Sequence, residues 1–104
     1  MSRLHMTKHA GDEFQVGAEV PHLFRVAYAR QGVCGLWWMA RPEADWTMIT
    51  LPAESAPAIF EVVHGGAIHK FALHCAEARG QVARLCVEAA RDIPIKHELA
   101  HSVR

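Results

Sequence analysis

The sequence predicts an α+β domain in which a three-stranded antiparallel β-meander is packed by a short helix and a long C-terminal amphipathic helix. Two observations lead there. Residues 22–51 hold three runs rich in β-branched and aromatic residues, parted by turn signals. From Ser55 onward the apolar positions fall at helical spacing, most clearly across residues 67–92.

Residues 1–20 are polar and carry Gly11 and Gly17 before Pro21, so they are expected to form a flexible N-terminal arm with at most a short edge strand. The single α+β domain is expected to occupy residues 21–104. In "HLFRVAYARQ" Phe24, Val26 and Tyr28 alternate with polar positions, the pattern of a half-buried strand, and Gln31-Gly32 supplies its turn. "VCGLWWMAR" is apolar on both faces and suits a central strand, while "WTMITL" gives the third strand before Pro52. Short connections favour a meander.

In "ESAPAIFEVVHGG" Ser55 can cap, Pro57 fits a first helical turn, and Gly65-Gly66 ends a short helix. The long helix places Ile68, Phe71, Ala72, Cys75, Val82, Leu85, Cys86 and Ala89 on one stripe, with Lys70, Glu77, Gln81, Arg84, Glu88 and Arg91 opposite; Gly80 is expected to mark a kink or a close packing contact. No internal repeat is read.

Composition bounds function. Eleven basic and eleven acidic residues give a formal charge of zero, which lacks the electrostatic footprint of a nucleic-acid binder and removes self-repulsion between copies. No run has the length of a signal peptide or a membrane span, and three cysteines without close pairing read as reduced thiols, so the expected setting is cytoplasmic. Cys75 and Cys86 are expected to share one helix face as small core residues.

Two segments are candidates for function. Trp37 and Trp38 are consecutive, so in a strand they point to opposite faces and one helix covers only one of them. With Trp46 and Arg41 they form an expected interface, an aromatic-rich composition typical of interaction hot spots. The partner would be another protein or a second copy, with neither nucleic acid nor membrane involved. The second segment is "HELAH": on a helix His97 and His101 stand one turn apart and suit Zn²⁺, with Glu98 placed as a general base. Three residues follow His101, so a third ligand is expected from upstream, where His64, His69 and His74 stand five apart. Such spacing puts them on one face of neither a helix nor a strand, and Pro94 leaves the segment barely two turns long. The leading expectation is a non-enzymatic interaction module (an inhibitor, adaptor or regulator) with no catalytic residues and no cofactor. The alternative is a zinc-binding protein or a metal-dependent hydrolase.

Overall fold

A computed structural model describes residues 2–40 and 44–96, and among these there is no helix. The described residues are all-β, not α+β. Among them nine strands run in order: β1 (Ser2–His9), β2 (Glu13–Val16), β3 (His22–Arg30), β4 (Val33–Met39), β5 (Thr47–Pro52), β6 (Ala58–His64), β7 (Ala67–Arg79), β8 (Val82–Ala89) and β9 (Ile95–Lys96). They form two antiparallel sheets, one ordered β1-β8-β7-β6 and the other β5-β4-β3-β2-β9. The core lies between the sheets, where Phe14, Phe24, Leu36, Phe71, Leu73, Leu85 and Val87 are fully buried.

The three expected strands are present as β3, β4 and β5, but both expected helices are strands. The residues of the long helix make the hairpin β7–β8, and the short one is β6, paired to β7 from Ala58↔Leu73 to His64↔Ala67. The stretch fits two periods at once. Phe71, Leu73 and Cys75, then Ala83, Leu85, Val87 and Ala89, alternate at period two and are the buried set. A bulge between Cys75 and Glu77 shifts the phase by one residue, and the remaining small residues let a helical stripe fit the same letters. Gly80 is no helix kink. With Gln81 it takes positive φ (62° and 64°), the two-residue turn whose twist matches a hairpin.

The first twenty residues, expected as an arm, supply strands to both sheets. β1 pairs with β8 along its whole length and buries Met6, whereas β2 joins β3 in the other sheet and buries Phe14 and Val16.

The two sheets repeat each other, a relation that the sequence reading missed. The hairpins β3–β4 and β7–β8 share a bulge at the same place, Val26/Tyr28 in one and Cys75/Glu77 in the other, and each turns through two residues of positive φ. Backbone hydrogen bonds around the two hairpins, within and between the sheets, come in matched pairs. Gly32 N–H donates to Ala78 O at 2.9 Å, and Gln81 N–H to Ala29 O at 2.7 Å. Likewise Ala53 N–H donates to Gly32 O at 2.7 Å, and Ala10 N–H to Gln81 O at 3.0 Å. Glu54 N–H to Cys75 O and Gly11 N–H to Val26 O complete the set at 2.9 and 2.7 Å. The molecule is thus two like units in one chain that exchange their first strands: β1 precedes β2–β4 but pairs with β8, and β5 precedes β6–β8 but pairs with β4. The repeat shows in backbone geometry and burial and also in letters at matching register, Ala27/Ala76, Ala29/Ala78, Arg30/Arg79, Val33/Val82 and Leu36/Leu85, which a helical reading of the second hairpin hides.

Candidate functional site

The adjacent tryptophans part as a strand requires. Trp38 faces the space between the sheets and Trp37 faces outward.

Trp38 belongs to an aromatic cluster built around His22. The two rings stack at 6.0 Å with 5° between planes, and Phe71, Phe60 and Phe24 surround the imidazole at 5.2, 5.9 and 6.5 Å. Both ring nitrogens are used. Trp38 Nε1–H donates to His22 Nδ1 at 3.0 Å, so Nδ1 carries no proton and Nε2–H donates to the Glu61 carbonyl at 2.7 Å. This bond ties β3 to the edge strand of the other sheet. Burial pushes the His22 pKa below the ordinary histidine value, more than the bond to Glu61 raises it. His22 is a neutral structural linker between the sheets.

Trp37 stands on the outer face of the five-stranded sheet, in the cross-strand row Glu13–Arg25–Trp37–Met48. Trp46 lies beside it: Arg25 donates from Nε to Glu13 at 2.7 Å and holds its guanidinium 5.3 Å from the Trp46 ring centre. Trp37, Trp46 and Met48 remain 38%, 36% and 38% exposed, large values for side chains of this apolar size. Further along the same face Tyr28 lies flat over Gly35, with the Arg30 guanidinium 4.7 Å from its ring centre. The pairing Arg25↔Trp37 sets a cation held by Glu13 beside the indoles. Of the expected interface residues, the structure brings Trp37 and Trp46 together and sends Trp38 inward. Arg41 lies outside the described residues.

The repeat supplies a comparison within the molecule. The positions on the four-stranded sheet that match Trp37, Met48, Arg25, Trp46 and Met39 hold Cys86, His5, His74, Arg3 and Glu88. Those positions are polar, with Arg3 Nη2 2.8 Å from Glu88 Oε2 and Arg84 Nη1 3.3 Å from Glu77 Oε1, while toward the β6 edge of the same sheet Ile59 and Ile68 are exposed. This face carries a groove of about 380 Å³ bordered by Arg3, His5, His74, Cys86 and Glu88. The gathering of His5, Cys86 and His74 across three neighbouring strands could not be read from a chain expected to be helical there. Burial raises the Cys86 thiol, which outweighs the opposite pull of Arg3, so it is no activated thiolate. Cys34 and Cys75 are buried, and burial pushes Cys34 up to about 12. Cys75 and Cys86, expected on one helix face, lie on different strands and opposite faces.

His97, Glu98 and His101 lie outside the described residues. Of the upstream histidines, the β6–β7 hairpin brings His64 and His69 together with ring centres 6.2 Å apart, and His64 Nε2 is 3.4 Å from Asp92 Oδ2. A turn at Gly65-Gly66 achieves what spacing within one element cannot. His74 points to the outer face of the four-stranded sheet, away from them. Among the described residues no group of three or more His, Cys, Asp or Glu side chains is placed to hold a metal ion, and no helix is long and apolar enough to cross a membrane.

Comparison with family models, with curated proteins and with solved structures gave no match.

Proposed function

We propose that the chain is a small non-enzymatic protein-interaction module whose working surface is the outer face of β3, β4 and β5 around Trp37, Trp46 and Met48. One observation carries this reading. The fold builds the same outer face twice, and at the positions of the four-stranded sheet that match Trp37, Trp46 and Met48 it places Cys86, Arg3 and His5, with Arg3 paired to Glu88. Exposed indoles are therefore no requirement of the architecture. Their retention on one face only is the signature of a surface that is covered in use, since burying a tryptophan removes a large apolar area from water. Arg25, fixed between Glu13 and Trp46, adds a preorganised cation at the centre of the patch. The partner is a protein, or a second copy of the chain, whose approach the zero formal charge does not oppose. The three free thiols agree with a reducing, cytoplasmic setting.

The test is site-specific photo-crosslinking in the native host, with the reactive amino acid at position 37 and, as the control on the opposite sheet, at position 86. The expected result is a defined protein adduct from position 37 alone, reproduced with purified components. Trp37→Ala should then weaken binding about thirtyfold, the loss associated with removing a central tryptophan. Equal labelling from both positions, or unchanged affinity in Trp37→Ala, would remove the face from consideration.

A further inference from the structure

The two repeated units leave equivalent strands at two sheet edges, β1 and β5, and these differ in how they are protected. Among the described residues each pairs on one side only, β1 with β8 and β5 with β4. A free edge exposes unpaired N–H and C=O groups and is normally blunted by charge, proline or a covering segment. On β1 the blunting is plain: Arg3, His5, Lys8 and His9 occupy half of an eight-residue strand. β6, the other edge of that sheet, is capped from the neighbouring sheet, where His22 bonds the Glu61 carbonyl and Glu19 accepts from Gly65 N–H at 2.6 Å.

β5 has neither device. Between Thr47 and Leu51 it carries no ionisable residue, its only proline is the last residue, Pro52, and no strand among the described residues pairs with its outer side. Thr47, Met48 and Thr50 are exposed. Thr47, Ile49 and Thr50 are β-branched, the residue type that favours a further strand.

We infer that β5 is a self-pairing edge: two copies join antiparallel, β5 to β5, and fuse their five-stranded sheets into one continuous sheet. This rests on the reading of the chain as a self-associating module and fixes where the copies meet. A second copy is the occupant that the observations favour. A strand without charge meets an identical strand without charge, and the formal charge of the whole chain is zero. Antiparallel pairing about a two-fold axis also lets each strand satisfy the other's outward N–H and C=O groups. The same arrangement puts Trp46 and Met48 of both copies on one continuous outer face, so the apolar surface grows and remains open to a partner protein.

The experiment is sedimentation equilibrium on the full chain from low micromolar to millimolar concentration, with hydrogen exchange read at residues 47–51. The expected result is a monomer–dimer equilibrium in which the amides of Thr47–Leu51 gain protection as concentration rises. Thr50→Lys should weaken association about tenfold by facing like charges across the junction. Thr7→Lys, the matching position on β1, should leave it unchanged, and so should Trp37→Ala, which lies one strand in from the edge. A dimer that Trp37→Ala abolishes and Thr50→Lys does not would overturn the edge while sustaining the aromatic face as the contact. If both substitutions abolish it, protected β5 amides in the native dimer sustain the edge and unprotected ones overturn it. A chain that stays monomeric throughout overturns the edge and leaves the face to its own crosslinking test.

Discussion

Replacing Trp38 by Phe tests the His22 cluster that joins the sheets. The substitution keeps an aromatic ring but removes Nε1–H, the donor to His22 Nδ1 at 3.0 Å. A buried acceptor left without its partner costs about 1–3 kcal/mol. The smaller ring also loses part of the contact with Phe60, now 5.2 Å between centres, and aromatic pairs of this kind contribute roughly 0.5–1.5 kcal/mol. The expected loss at pH 8 is therefore about 2–4 kcal/mol, read by urea denaturation, and for a chain near a hundred residues each kcal/mol lowers Tm by roughly 4–8 °C.

The loss should also depend on pH. Burial holds the folded pKa of His22 below that of the unfolded chain, about 6.5. Below that value the unfolded chain binds a proton that the folded one resists, so this contribution to stability is complete above pH 6.5 and declines as pH falls toward the folded value. In Trp38→Phe the freed Nδ1 accepts a proton more readily, and the acid decline shrinks. Other titrating groups are common to both proteins and cancel in the difference. The gap between wild type and variant should thus narrow from pH 8 to pH 5. A gap that is constant or widens, or a loss under about 0.5 kcal/mol at pH 8, would refute the assignment of His22 as a neutral linker with Nδ1 as acceptor.

Three further outcomes are expected. Gly35→Ala puts a Cβ into the space filled by the Tyr28 ring and should cost about 1–3 kcal/mol, the range for overpacking; in a Tyr28→Ala background the cost should fall, as a double-mutant cycle in urea will show. Trp37→Ser exposes no core and should change stability by only about 0.5 kcal/mol by thermal denaturation, even though it removes the surface proposed for binding. Native thiol titration at pH 8 should label Cys86 first, since it alone of the three is partly exposed, while Cys34 and Cys75 react only on unfolding; early labelling of Cys34 would contradict its burial and its raised pKa.

The sequence by itself determined the strands from His22 to Pro52, the turn at Gln31-Gly32, and the parting of Trp37 from Trp38. Each follows from local pattern, because alternation has period two wherever a strand is half-buried and glycine marks the left-handed turn. Its zero charge and free thiols were equally plain. Beyond residue 55 the letters were compatible with two periods. Ala72, Cys75, Ala76, Ala78, Ala83, Cys86 and Ala89 are small enough to sit in a helical stripe or a pleated sheet, and intrinsic propensity did not separate the two. What decided was long-range pairing: β8 lies between β7 and β1, and β1 comes from the other end of the chain. Hydrophobic burial between two sheets then favoured the period-two set, Phe71, Leu73, Leu85 and Val87, over the helical one. The same long-range order decided what surrounds the candidate site. Local pattern placed Trp37 on one face of a strand, but only the pairing of β3, β4 and β5 set Arg25, Trp46 and Met48 around it. Only the matching positions of the four-stranded sheet, filled by Cys86, Arg3 and His5, show that the fold itself has no need of those indoles.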